Sequence, residues 1–107
     1  MTIIKNLAIW MDHSNAHLME FTTVATTINI FHNKTLQQSS DFYKKISDVI
    51  KHYQHVLLFG PSNAKAELTT MLKEDRQFEK IRLETKDADK MSQNKLHEFV
   101  REHFSHD

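Results

Sequence analysis

The spacing of apolar positions changes along the chain, and the change separates a strand-rich first third from a mixed remainder. Up to His32, apolar side chains alternate with polar ones or run together with β-branched and aromatic residues, which is typical of strands. A polar connection, Asn33–Ser40, follows, and from Asp41 the apolar residues recur at helical spacing. The predicted elements are strands at 3–12, 16–22 and 23–32, a helix at 41–53, a strand at 56–59, a helix after Pro61, a strand at 78–85 and a helix after Ser92.

One segment in the middle of the chain shows how a buried strand passes into a helix. Val56–Phe59 is an unbroken apolar run, as expected of a parallel strand that is covered on both faces. Gly60 permits a tight exit, and Pro61 fits the first turn of a helix because that turn leaves its N–H groups unpaired. The side chains of Ser62 and Asn63 are suited to accept hydrogen bonds from that turn.

The order βββαβαβα predicts a ribonuclease-H-like α/β fold. Short connections make the first three strands an antiparallel meander, and right-handed crossovers then place two parallel strands beside the first. The expected architecture has three layers around a mixed five-stranded sheet of order 3-2-1-4-5, in a single domain spanning residues 1–107. A flavodoxin-like sheet is the alternative, but it requires a helix where residues 13–32 have strand patterns. Thioredoxin-like activity requires a cysteine pair, and the chain has no cysteine.

Composition narrows the classes of function. The 14 Lys and Arg residues balance 14 Asp and Glu residues, and this balance argues against strong nonspecific binding to nucleic acid. The lack of cysteine excludes disulfides, thiolate catalysis and cysteine-type zinc sites. The apolar run near the N-terminus is too short for a signal peptide or a membrane span. We therefore expect a soluble cytoplasmic protein that does not enter a membrane.

The predicted sheet brings the carboxyl ends of its first and fourth strands together, at the place where open α/β sheets bind ligands. The residues expected around this crevice are Asp12, His13, Gly60, Ser62, Asn63 and, one turn into the helix, Lys65. One interpretation is a site for a small anion or phosphate formed by helix N–H groups, Ser62 and Lys65. The other is that Ser62 and Asn63 only cap the helix and Asp12 only closes its hairpin, which is the more frequent role of these residue types.

The pattern of carboxylates and histidines predicts no metal site, no cofactor and no catalytic residue. Two-metal nuclease chemistry needs several converging carboxylates. Asp12 ends the first strand, but Gly60-Pro61 stands at the corresponding end of the fourth. The eight histidines are scattered; His55 is assigned to a helix end and His103 to a frayed terminus. We therefore expect a protein that is not an enzyme, with a metal-dependent nuclease as the minor alternative.

Two segments together carry a resemblance to a known family. Leu7–Phe21, an apolar strand ending in Asp with a small-residue turn, and Val56–Leu68, a strand–Gly–helix segment, resemble the middle domain of archaeo-eukaryotic class 1 peptide-chain release factors and Pelota. The resemblance implies the translational-machinery-component fold and a ribosome or tRNA-like partner. In release factors a Gly-Gly-Gln loop follows the third strand, whereas Asn33–Ser40 has no glycine, and Gln37 and Gln38 do not replace it. Peptidyl-tRNA hydrolysis is therefore not expected, nor is stop-codon reading.

Taken with the resemblance, the sequence predicts a small non-catalytic factor associated with the translation machinery. It would bind the ribosome or RNA through the crevice and the 33–40 loop, and the basic residues expected to contribute are Lys34, Lys44, Lys45 and Lys65. The alternative is a protein-interaction module or homo-oligomer that uses the 78–85 edge strand or the helix bearing Phe99.

Overall fold

The computed structural model describes residues 5–22, 25–33 and 39–105, apart from the side chains of residues 39 and 40. The elements, in chain order, are β1 (Asn6–Met11), β2 (Asn15–Phe21), β3 (Ala25–His32), α1 (Ser39–Ile50), β4 (His55–Gly60), α2 (Ala64–Lys73), a 3₁₀ turn (Arg76–Phe78), β5 (Arg82–Asp87) and α3 (Gln93–Ser105). The strands form one sheet of order β3-β2-β1-β4-β5, which confirms the predicted topology. β1 is antiparallel to β2 and β2 to β3, whereas β4 runs parallel to both β1 and β5.

The two central strands, β1 and β4, send alternate side chains into two separate cores. Leu7 and Ile9 join Leu58 beneath α1 and α2 on one face of the sheet. Ala8 and Leu57 face the opposite way, into the core covered by α3. Every residue of β4 is buried, because helices cover both of its faces as the unbroken apolar run predicts. The sheet is therefore the middle layer of three.

The last strand lies further along the chain than the spacing of apolar residues predicts. β5 begins at Arg82, four residues after the expected start at Phe78. Phe78 instead ends the 3₁₀ turn, where the Asp75 carboxylate accepts a hydrogen bond from the Gln77 N–H at 2.9 Å. Phe78 is buried in the core under α1 and α2 from this turn, so an apolar residue that suggests a strand is placed by local capping.

The first helix ends earlier than predicted, whereas the last helix begins with the predicted cap. α1 ends at Ile50 rather than Tyr53, since the chain leaves the helix through tighter bonds such as Tyr53 N–H to the Ile50 carbonyl at 3.0 Å. Tyr53 is still buried, and its hydroxyl donates to Glu20 at 2.9 Å. Ser92 caps α3 as predicted, because its hydroxyl oxygen accepts from the Lys95 N–H at 3.3 Å. Among the described residues, no helix is long and apolar enough to cross a bilayer.

Candidate functional site

The carboxyl ends of β1 and β4 lie side by side, and Gly60 makes their close approach possible. β1 and β4 are in parallel register through the pair Trp10 and Phe59, which places Gly60 beside Met11. Gly60 has a φ of +152°, and a Cβ at this position would lie 2.1 Å from the Met11 carbonyl oxygen. A side chain is therefore excluded both by backbone conformation and by space. We call the residues around this junction (Asp12, His13, Gly60, Ser62 and Asn63) the strand-end crevice.

Asp12 closes the hairpin between β1 and β2. One oxygen of its carboxylate, Oδ1, accepts hydrogen bonds from the backbone N–H groups of Ser14 at 2.8 Å and Asn15 at 2.7 Å. The backbone N–H of Asp12 donates in turn to the Asn15 carbonyl at 3.0 Å. Asp commonly closes turns in this way, because its side chain accepts hydrogen bonds from nearby backbone N–H groups. Among the described residues, Asp12 belongs to no group of three side chains arranged to bind a metal.

His13 links the hairpin to both helices on its side of the sheet. Its Nε2 lies 3.4 Å from Oε2 of Glu67 on α2, and the Tyr43 hydroxyl of α1 donates to Oε1 of the same carboxylate at 2.6 Å. The hydrogen bond from Tyr43 is the largest influence that holds the pKa of Glu67 below its ordinary value. Burial, followed by the bond to Glu67, raises the pKa of the Tyr43 hydroxyl, which therefore stays protonated. Glu67, which contacts the strand-end crevice through His13, is thus ionised at neutral pH.

The start of α2 differs from a free anion-binding helix terminus. Ser62 Oγ accepts from the Ala64 N–H at 3.3 Å, whereas the exposed Asn63 occupies the N-cap position without a side-chain capping bond. Lys65 is buried, and its Nζ donates to the carbonyls of Gly60 at 3.0 Å and Ser62 at 2.8 Å. The same nitrogen forms an ion pair of 2.8 Å with Asp87 at the end of β5. Lys65 therefore joins the ends of β4 and β5, and its contact with an external anion remains a prediction.

The connection from β3 to α1 starts at the same end of the sheet. The Asn33 side-chain amide donates to the His13 carbonyl at 3.0 Å, and the Asn33 backbone N–H donates to the Ser14 carbonyl at 2.8 Å. Lys34 lies outside the described residues. Lys44 and Lys45 are exposed on α1, and neither forms an ion pair within the part of the chain that is described. The two lysines are therefore available to a partner of negative charge.

The sequence suggests two surfaces for protein partners, the edge strand at 78–85 and the helix bearing Phe99, and the structure confirms the edge strand but packs Phe99 inward. β5 is an edge strand, as predicted. Phe99, in contrast, stacks on Phe59 with ring centroids 4.6 Å apart and packs against the core under α3. An exposed apolar side chain occurs elsewhere, at Ile30 of β3, which is 52% exposed. It lines a groove of about 280 Å³ between the hairpin and the start of α3, together with Trp10, Asn15, Ala16, His17, His32, Lys90, Met91 and Leu96.

A cluster of metal-binding residue types corrects the expected placement of two histidines. His55 opens β4 rather than ending a helix, and His103 lies within α3 rather than in a frayed end. Both imidazole Nε2 atoms approach Glu84 Oε2, at 3.0 Å from His55 and 2.7 Å from His103. Burial alone would raise the pKa of Glu84, but these two histidines more than offset it and lower the pKa. The Glu84 side chain is thus half-buried and hydrogen-bonded to both histidines, although the alternation of apolar and polar residues at 78–85 predicts that it points outward.

Sequence spacing could not reveal this cluster because its members come from three elements. The prediction that the fourth and fifth strands are parallel neighbours gives a partial signal, although the register itself comes from the structure. His55 pairs with Arg82, so Glu84, two residues further along β5, lies on the same face of the sheet as His55. His103 reaches the same place because α3 covers that face of the sheet.

The sheet order and the helices on both faces are those of the predicted ribonuclease-H-like α/β fold. No protein-family model matches the chain, and no curated protein has a similar sequence.

Solved structures confirm the resemblance at the level of fold. The Pelota protein of Archaeoglobus fulgidus superposes with a TM-score of 0.74 at 11% identity, over 96% of this chain and 32% of that one. Thermoplasma acidophilum Pelota gives a TM-score of 0.71 at 12% identity, over 92% of this chain and 32% of that one. The archaeal translation termination factor aRF1 gives 0.62 at 13% identity, over 83% and 31%. The chain thus spans about a third of the length of each of these proteins.

Proposed function

We propose that this protein is a non-catalytic factor of the translation machinery that binds the ribosome or another structured RNA. The observation that supports this most is the shared fold with Pelota and with aRF1, the second of which is a translation termination factor. The similarity extends over most of the chain, including both strands that line the strand-end crevice.

The surface favoured for this contact is the edge formed by the strand-end crevice and the exposed side of α1. Asn33 holds the beginning of the 33–40 connection against the hairpin turn, and α1 follows directly. Lys44 and Lys45 are exposed on α1, where Lys44 also lines a groove with Asp48 and Asp75, and Lys34 adds a third positive charge in sequence. Lysines that contact phosphates release counterions, so binding by such a surface depends on salt. Because the net charge of the chain is zero, this local group rather than an overall field must supply the attraction.

The chemistry of the crevice supports a binding role rather than a catalytic one. The Asp12 carboxylate closes a turn, and the Lys65 ammonium is held by two carbonyls and Asp87. The connection at 33–40 has no glycine, so its backbone lacks the freedom of a Gly-Gly-Gln loop. We expect no release of peptide from peptidyl-tRNA on ribosomes incubated with the protein.

Co-sedimentation with ribosomes at low and moderate salt tests the proposal. The wild-type chain should pellet with ribosomes at low salt and less at moderate salt. Replacing both Lys44 and Lys45 by Glu should abolish pelleting, since it converts two attractive contacts into repulsive ones. A matched control reverses Lys95 and Arg101, two exposed charges on α3 at the opposite face of the sheet.

Two outcomes would contradict the proposal in different ways. A wild-type chain that stays at the top of the gradient at both salt concentrations removes the ribosome as partner. If the control variant loses binding as fully as the α1 variant, the loss reflects a general effect of charge reversal and not a contact specific to α1. Circular dichroism of each variant separates loss of binding from loss of fold.

A further inference from the structure

Three side chains from three different elements bring their ligand atoms together at the covered end of β4. His55 lies on β4, Glu84 on β5 and His103 on the last turns of α3. The two imidazole Nε2 atoms and one carboxylate oxygen all lie within 4.8 Å of one another. The side chains are well enclosed, with exposures of 9% for His55, 12% for His103 and 30% for Glu84. Two histidines and one carboxylate around an open position form a donor set typical of zinc sites.

Neighbouring residues fix the orientation of this set. Arg82 donates from its guanidinium to Glu84 Oε1 at 3.2 Å, which leaves the other oxygen, Oε2, directed at both imidazoles. The ring of Phe104 packs edge-on against both histidines, with centroid distances of 5.1 Å to His55 and 4.9 Å to His103. A carboxylate held by a second partner and imidazoles held by an aromatic ring are oriented before any ligand arrives.

We propose that His55, Glu84 and His103 bind a divalent transition metal, zinc in particular, with water as the fourth ligand. Imidazole nitrogens favour zinc over magnesium or calcium, which prefer sites made of oxygen ligands. Glu84 is the most exposed of the three side chains, so solvent reaches the cluster on its side. The site is independent of the proposed function, because it lies on the α3 face of the sheet and uses none of the residues assigned to RNA contact.

The present distances are close to those that a tetrahedral ion requires. Ligands about 2.0–2.1 Å from zinc in a tetrahedral site are about 3.3 Å from one another. The two oxygen-to-nitrogen separations, 3.0 and 2.7 Å, need to widen by about 0.3 and 0.6 Å, and the two imidazole nitrogens, which lie within 4.8 Å of each other, need to reach the same spacing. The imidazoles must be neutral to bind, so metal uptake releases any protons they carry. An ion held in this way would fasten the end of α3 to the two parallel strands.

Titration of metal-free protein with zinc chloride tests the site directly. After treatment with a chelator and its removal, isothermal titration calorimetry at pH 7.5 should give one zinc ion per chain. The urea midpoint of unfolding should rise with added zinc, because a ligand that binds only the folded state stabilises it. Magnesium chloride should produce neither result. Cobalt as a substitute should give the strong visible absorption of tetrahedral coordination.

Variants assign the ion to these three residues. Glu84→Gln and His103→Gln should each weaken zinc binding more than tenfold, whereas His52→Gln, at an exposed histidine outside the cluster, should bind like the wild type. Failure of the wild-type chain to bind zinc or to gain stability would overturn the proposal and leave a hydrogen-bonded network only. Retention of full affinity in both cluster variants, or equal loss in His52→Gln, would overturn it as well. The wild-type measurements decide the question even if a cluster variant fails to fold.

Discussion

Replacing Gly60 by Ala should destabilise the protein strongly, although it adds a single methyl group. The new Cβ would lie 2.1 Å from the Met11 carbonyl oxygen, more than an ångström inside normal contact, and 3.1 Å from the Met11 carbonyl carbon. The φ of +152° adds its own penalty, since a non-glycine residue in such a region costs about 1–3 kcal/mol. The collision is between backbones of two buried strands, so rotating a side chain cannot relieve it.

The magnitude follows from combining these two effects. We expect a loss of about 3 kcal/mol or more in the free energy of unfolding, among the larger effects of a single substitution. For a domain of this size that corresponds to a fall of roughly 12 °C or more in the melting temperature. Urea denaturation, followed by circular dichroism, should show a lower midpoint with an unchanged slope.

Two controls make the Gly60 result interpretable. Asn63→Ala alters the same turn, but the Asn63 side chain makes no capping bond, so its midpoint should stay close to that of the wild type. Adding Met11→Ala to the Gly60→Ala variant should not restore stability, because the obstacle is the carbonyl of residue 11 and not its side chain. A Gly60→Ala protein within about 0.5 kcal/mol of the wild type would refute the reasoning, since that is the usual range for a surface substitution.

Four further predictions concern other interactions in the fold. Lys65→Met should lower the free energy of unfolding, measured by urea denaturation, by about 1–3 kcal/mol, because two carbonyls lose their donor. Asp87→Asn, at a 94% exposed carboxylate, should change the urea midpoint little. Equal losses of stability in the two variants would contradict the importance given to the carbonyl contacts of Lys65. Tyr43→Phe should cost about 1 kcal/mol at pH 7, since it removes the 2.6 Å bond to Glu67, and an unchanged midpoint would argue against that bond. The folded-state pKa of Glu67 is depressed, so its contribution to stability is complete above pH 4.5, the unfolded value, and is lost as pH falls through the lower folded value. Stability measured from pH 7 to pH 3 should therefore fall less in Glu67→Gln than in the wild type, and parallel curves would contradict the pKa shift. Phe59→Ala should lower the free energy of unfolding by about 3–5 kcal/mol, because it empties a fully buried site between the sheet and α3, and a loss below 1 kcal/mol would show that the core there is not packed as described.

The order of the strands could be predicted because two-sided burial leaves a clear pattern in sequence. Val56–Phe59 has no polar residue, and the first strand has apolar residues on both faces, so both had to be central. The start of β5 could not be placed in the same way. Phe78 is apolar and lies shortly before a strand, yet the hydrogen bond from the Gln77 N–H to the Asp75 carboxylate caps a 3₁₀ turn that includes it. Apolar spacing reports burial, and burial alone does not distinguish a turn from a strand.

The candidate sites were less accessible to sequence reasoning because they depend on side-chain direction. A lysine in the first turn of a helix is ordinarily solvated, but the side chain of Lys65, the second residue of α2, turns back onto the Gly60 and Ser62 carbonyls. His55 and His103 come together because of where α3 crosses the sheet. The two residues are separated by 47 others, and the sequence between them does not predict the position of that crossing. The pairing register of the strands limits which residues can share a face of the sheet, but the packing of the helix determines which of its side chains meet them.

The two edges of the sheet are protected from other chains to different degrees. β5 alternates charged residues with others along its short length, and charge discourages a second strand from adding to an edge. β3 has eight residues and no Lys, Arg, Asp or Glu, with Ile30 exposed between Asn29 and Phe31. The irregularity in pairing lies in β3 itself: Leu18 pairs with Asn29 and Met19 with Thr27, so Ile28 is an extra residue that bends and twists this strand and protects its edge. At high concentration, intermolecular β-pairing should therefore begin along β3, and a single lysine in place of Ile30 should suppress it.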